Sequence, residues 1–227
     1  ALSEMSFQLQ QKIIAVKNKF HYDVINGKST TKGTAATDAT SFDGLDALVT
    51  GTNTEEKNEK SPFDMSTAAK IKENADAFTF ALDTWLSNFS EKPTMLMVNS
   101  RTATVLKTVA KMQGYYTRSE GSFGQGVDYY DGIAIVDMGE YYNGTKTVKC
   151  VPIDESKGTT SIYAVKLGLD AFHGISPAGD KIIHSYLPDM NAPGAVKKGE
   201  VEMVAGVASK DTTKAGVFRN IQVVPTA

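Results

Sequence analysis

The stretch Pro93-Thr94-Met95-Leu96-Met97-Val98-Asn99-Ser100-Arg101 decides how this sequence folds. Met95 to Val98 is a short run with no polar break, the pattern of a strand covered on both faces. Pro93 ends the segment before it, because proline cannot continue a helix. Asn99 or Ser100 is placed to cap a following helix, whose inward residues are Val105, Leu106, Val109 and Met112. Gly114 stops that helix. Upstream, Ile71, Ala75, Phe78, Leu82, Trp85, Leu86 and Phe89 recur at helical spacing. This second helix is expected to start after Pro62, with Asp64 or Ser66 as N-cap, and to end near Asn88. Helix, strand and helix within about 50 residues make a mixed α/β layer.

Working outward, Leu2, Met5, Leu9, Ile13, Val16, Phe20 and Val24 put one apolar stripe on a long N-terminal helix. Asn26-Gly27 is expected to close it, since both residues tolerate a left-handed backbone. The stripe is expected to dock on its own domain rather than in a coiled coil. Residues 27–41 carry no large apolar side chain and read as a long loop. The run Glu55-Glu56-Lys57-Asn58-Glu59-Lys60 reads as a solvated loop of mixed charge. The second half reads as strands: 132–136, 148–153, 161–165, an alternating segment from Val201 to Val207, and a last one at 218–224. Lys210 to Lys214 is expected to form a hairpin tip or polar loop.

Composition narrows the function. Of 227 residues, 41% are hydrophobic and 22% charged, which excludes global disorder. Lys plus Arg total 24 against 26 for Asp plus Glu, a net charge of −2, with no basic footprint for nucleic acid. Cys150 is the single cysteine, so no internal disulfide forms. No apolar run reaches the roughly 18 residues of a membrane helix. Ala1 in place of Met reads as the start of a processed or truncated product.

No catalytic, cofactor-binding or metal-ligating residues are expected from the motifs of this sequence. His21, His173 and His184 are isolated in sequence, and one cysteine cannot build a thiolate zinc site. The segment Gly121-Ser122-Phe123-Gly124-Gln125-Gly126 lacks the lysine and following helix that a phosphate loop needs. The doublets Tyr115-Tyr116, Tyr129-Tyr130 and Tyr141-Tyr142 fit interface or half-buried packing better than base stacking, because accompanying basic residues are sparse.

Read in order, these segments resemble the major capsid proteins of tailed bacteriophages, the Hong Kong 97 type. The long helix leads through Ile25-Asn26-Gly27 to Phe42-Asp43-Gly44-Leu45-Asp46-Ala47-Leu48. Pro93 to Arg101 follows, then Phe123-Gly124-Gln125-Gly126-Val127 and Tyr130-Asp131-Gly132-Ile133-Ala134-Ile135-Val136-Asp137, and finally Ser161 to Gly168.

The resemblance implies an α+β fold with a long spine helix, a peripheral domain of residues 1–63 plus 195–227, and an axial domain of residues 64–194. It implies a non-enzymatic coat subunit of a phage or prophage head, without cofactors, located in the virion and assembled in the bacterial cytoplasm. Its partners would be copies of itself in pentamers and hexamers, with scaffold, portal or decoration proteins as further candidates. Neither a membrane nor sequence-specific nucleic acid is implied. The family's N-terminal arm and extended hairpin loop are not found before the first helix, so this form is expected to fold without building closed shells. An encapsulin-like compartment shell and a secreted cell-surface binding module are the alternatives.

Overall fold

The computed structural model describes residues 2–29, 42–59, 62–114, 116–120, 126–187 and 198–225. Helix α1 spans Leu2–Asn26 and α2 spans Leu45–Val49, followed by the short strands β1 (Glu55–Glu56) and β2 (Phe63–Asp64). Then come α3 (Ala68–Ser87), β3 (Met95–Val98), α4 (Ser100–Gln113), β4 (Tyr116–Glu120), β5 (Gly126–Tyr130) and β6 (Ile133–Asp137). The second half adds β7 (Glu140–Tyr142), β8 (Thr147–Lys149), β9 (Thr159–Val165), β10 (Phe172–Ile175) and β11 (Ile183–Tyr186). It ends with β12 (Glu200–Met203), β13 (Gly206–Ser209), a 3₁₀ turn at Thr212–Lys214 and β14 (Ala215–Gln222).

The main sheet runs β1-β14-β9-β3-β6-β5-β4, with β2 also pairing β14. Strand β3 is parallel to β6 and antiparallel to β9, and β9 is antiparallel to β14. Alternation along each central strand feeds two cores. Leu96 and Val98 of β3, Ile162 and Ala164 of β9, and Phe218 of β14 join Phe78, Leu82, Trp85, Leu106 and Val109 beneath α3 and α4. Met97, Tyr163, Val165 and Val217 face the other way, onto Val24, Ile25, Leu45 and Val49 of α1 and α2. The absence of alternation in Met95–Val98 is thus explained: both faces of β3 are covered.

The helix caps refine the sequence reading. Asn99 caps α4, its side chain accepting from the Thr102 amide, and Gly114 closes that helix in the left-handed conformation. Helix α3 is capped by Thr67, which accepts from the Lys70 amide. Asp64 instead holds a local turn by accepting from Ser66. Gly27 is not left-handed; its role is close approach. It accepts a hydrogen bond from the Gly44 amide at 2.8 Å. A Cβ on Gly27 would sit 2.5 Å from the Asp23 carbonyl, and one on Gly44 2.6 Å from the same oxygen. Two glycines at this crossing let the chain entering α2 lie directly on the end of α1.

Other expectations shift. The strand expected at 148–153 shortens to Thr147–Lys149, and the alternating segment from Val201 divides into β12 and β13. The segment 210–214 contains the 3₁₀ turn. The loop expected at 27–41 and the glycine run at 121–126 fall mostly outside the described residues.

Trp85 is fully buried and its indole Nε1 donates to the Thr54 carbonyl at 2.8 Å. Its ring meets Phe89 and Phe218 edge-on. Trp85→Ala is expected to cost about 3–5 kcal/mol, the range for large core aromatics. Urea titration followed by circular dichroism checks this, since Trp85 is the sole tryptophan. A loss below about 1 kcal/mol would be a surface-like value and contradict this packing.

Candidate assembly surface

The charge run Glu55–Lys60, expected to be solvated, instead supplies a buried carboxylate. Glu55 lies in β1 with its side chain 4% exposed, 2.6 Å from Arg219 Nε. The Gly51 amide donates to its other oxygen at 2.8 Å. Arg219 also reaches Asp46 through Nη1 at 2.8 Å and the Thr50 hydroxyl through Nη2 at 2.9 Å. Tyr163 donates to the same Asp46 oxygen at 2.9 Å. Arg219 reaches this network from a bulge in β14, where Arg219 and Asn220 together oppose one residue of β9. Asn220 is left-handed there (φ 61°), and Asn58 Nδ2 donates to the Arg219 carbonyl. No spacing in the sequence links residues 55 and 219; only the parallel pairing of β1 with β14 joins them.

These groups are consumed in holding elements together. Burial pushes the Tyr163 hydroxyl pKa up, with Asp46 adding to the effect. Cys150 is buried and its thiol is pushed up to about 11 by burial, with Asp137 and Glu140 contributing, which favours the protonated thiol. Among the described residues no group of three or more His, Cys, Asp or Glu side chains could hold a metal ion. His21 is exposed on α1, His173 lies within β10, and His184 in β11 sits 3.4 Å from Asp180. Within the tyrosine doublets, Tyr130 is core and donates to Asp83, while Tyr116 donates to Asp128. Tyr141 packs at a tilt against Tyr22 of α1, leaving Tyr142 exposed. Tyr116, Tyr130 and Tyr141 thus make contacts within the subunit, and Tyr115 lies outside the described residues. No helix among the described residues is long and apolar enough to cross a membrane.

The open surface lies elsewhere. Strands β10 and β11 run outward, and β12 and β13 return as their antiparallel partners. The two ladders form one long ribbon, continued between them where the Val204 amide donates to the Ile182 carbonyl at 3.0 Å. A two-stranded ribbon is marginal alone and needs a covered face. The β11–β12 part, with Val201, Met203 and Ile183 half-buried on one face, lies against α1 through β12. The outer face carries Ile182, His184, Tyr186, Glu200, Glu202 and Val204. The buried part of α1 is its last turns; along the rest, Met5, Leu9, Ile13 and Val16 are only half-buried. Docking of the stripe on its own domain is therefore tight at one end of the helix and shallow at the other.

The family model of the SU10 major capsid protein matches residues 1–137, from α1 through β6. The chain belongs to this family. No curated protein sequence matches it. Among solved structures, the holo-SrpI encapsulin complex from Synechococcus elongatus PCC 7942 aligns with 97% of this chain and 66% of its own, at 13% identity and TM-score 0.65. A prophage protein of E. coli CFT073, assigned as a capsid protein, aligns over 96% of this chain and 66% of its own, at 14% identity and TM-score 0.55. The SU10-family chain thus spans just under two thirds of the length of either neighbour. At such identities the likeness is one of fold, and the fold is the α+β Hong Kong 97 type, with α1 as its long helix.

The Glu55 network gives a pH dependence. Burial opposes ionisation of Glu55, but the Gly51 amide and the Arg219 guanidinium outweigh it and hold the pKa below the ordinary 4.5. A depressed carboxylate stabilises the fold above its unfolded value and loses that contribution as pH falls through its folded value. Glu55→Gln is therefore expected to lower stability at pH 7 by about 1–3 kcal/mol, as for lost hydrogen bonds to a charge. The difference from wild type should shrink as pH drops below 4.5. Thermal melts of both proteins between about pH 3 and pH 7 check it; parallel curves would contradict the assignment.

Proposed function

We propose that this protein is a major capsid subunit forming the head of a tailed phage or prophage. The observation that carries the reading is the match of the SU10 major capsid protein model across residues 1–137. A subunit of a shell works by shape and contact area, which accords with a molecule whose polar clusters serve internal cohesion. Non-enzymatic function, residence in the virion, assembly in the bacterial cytoplasm and pentamer and hexamer formation belong to the same reading.

The domain division enters the proposal in amended form. Residues 1–63 plus 195–227 were expected as one unit against 64–194. Strand β14 pairs with β9 inside the main sheet, while β10 and β11 belong to the ribbon beside α1. These pairings favour a peripheral unit of α1 with the ribbon and an axial unit of the main sheet with α3 and α4. The encapsulin reading rests on shared fold alone, whereas the matched family is named for a phage coat protein. For that reason the phage head is preferred, and the secreted binding module has no supporting observation.

Particles purified after inducing lytic growth in the bacterium carrying this gene provide the test. Peptides of this chain should dominate their mass spectrum, since coat subunits outnumber every other head component. Particles in which these peptides are absent or minor would overturn the capsid reading.

A further inference from the structure

The sequence contains two Asn-Gly pairs, Asn26-Gly27 and Asn143-Gly144, and the fold treats them oppositely. In such a pair the backbone nitrogen after the asparagine is unhindered, because glycine carries no side chain beside it. Asn26 ends α1. Its Nδ2 donates to the Tyr22 carbonyl at 3.1 Å and to the Cys150 carbonyl at 2.7 Å. The Gly27 amide donates to the Asp23 carbonyl at 2.8 Å, and Gly27 is buried. Side-chain amide and following backbone nitrogen are both held in place there.

Asn143-Gly144 instead lies at the tip of the β7–β8 hairpin, which is exposed from Tyr142 to Thr147. The Asn143 amide closes the loop by donating to the Lys146 carbonyl at 3.1 Å. The Asn143 side chain folds back over the turn, its Oδ1 accepting from the Thr145 amide at 3.0 Å and the Lys146 amide at 2.9 Å. Gly144 is left-handed, at φ 94°. Its carbonyl accepts from the Tyr142 hydroxyl at 2.9 Å, but among the described residues nothing accepts from its amide.

We propose that Asn143 is a site of spontaneous covalent modification, its side chain cyclising onto the Gly144 nitrogen in the folded subunit while Asn26 is spared. The Gly144 nitrogen gives up its proton and bonds to Asn143 Cγ. The Cγ–Nδ2 bond breaks, and ammonia leaves carrying that proton. Water then opens the cyclic imide at either carbonyl, leaving aspartate or isoaspartate. The amides of Thr145 and Lys146 already point at the oxygen on which negative charge grows as the ring forms, and donors so placed lower the barrier. The product adds a negative charge at the hairpin tip beside Lys146, which pairs with Glu155 at 2.6 Å. This inference goes beyond the capsid reading and does not depend on it.

The test incubates the folded chain at mildly alkaline pH beside the same chain unfolded in guanidinium chloride, with circular dichroism confirming both states. Samples are digested over time and read by mass spectrometry against synthetic peptides carrying aspartate or isoaspartate. In the folded chain Asn143 should convert at least ~10-fold faster than Asn26, whose reaction must wait for the helix end to open. In the unfolded chain the structure that separates the two sites is gone, and their rates should converge. Asn143 should react at least as fast folded as unfolded, because the turn holds its side chain ready. Conversion of Asn143 slowed by folding, or of Asn26 keeping pace with it in the folded chain, would overturn the proposal. None of these outcomes bears on whether the chain dominates purified particles, so the capsid reading stands or falls separately.

Discussion

The ladder between β9 and β14 is the interaction on which the rest of the structure depends. It joins the last strand of the chain to the middle of the sheet, and both its faces are buried. Thr54 locks the outer side of β14: its carbonyl accepts from Val217 and from Trp85, while its hydroxyl donates to Ala215. One residue thereby ties the chain after α2, the last strand and helix α3. A Cβ on Gly216 would lie 2.5 Å from the same carbonyl, so this approach demands glycine. Detaching β14 would withdraw Phe218 and Ile221 from one core and Val217 from the other, opening both together.

Legibility in the sequence followed the range of the interactions. The existence of helices α1, α3 and α4 was readable because their apolar periods are local, although Met112, read as inward, is exposed and Thr67 rather than Asp64 or Ser66 caps α3; so was β3, whose uninterrupted apolar run reports cover on both faces. Strands β1 and β2 were not, being two residues each and existing only through pairing with β14. Glu55 looked solvated because its neighbours Glu56, Lys57 and Glu59 are polar, while its partner Arg219 lies 164 residues away. Gly27 was recognised as a helix end, yet its reason is the close pass of Gly44, which no local rule contains. For the candidate surface, the alternation in Val201–Met203 announced a half-covered strand. Which neighbour covers it, and that the opposite face stays open, depends on α1 lying beside it in three dimensions.

The division between rigid and open parts carries the functional argument. Around the main sheet charged groups pair internally, as Lys107 of α4 does with Asp128 of β5, and Lys214 of the 3₁₀ turn with Glu91 and Asp170. The helix-and-ribbon layer instead presents apolar and charged side chains outward together. Monomeric proteins seldom leave grouped apolar residues of this kind exposed without a partner. One part of the chain is thus held by internal contacts, while the other keeps apolar and charged side chains at its surface.

Amide hydrogen exchange on the free chain and on assembled particles tests this account most directly. Exchange reads local opening, so it separates the two parts within one molecule. The account predicts that β3, β9 and β14 are slow to exchange in both states. Residues of α1 before Val16 and of the ribbon at 182–187 and 200–204 should exchange early in the free chain and gain protection in particles. Equal protection of the ribbon in both states, or exchange of β14 as fast as that of the ribbon, would contradict it.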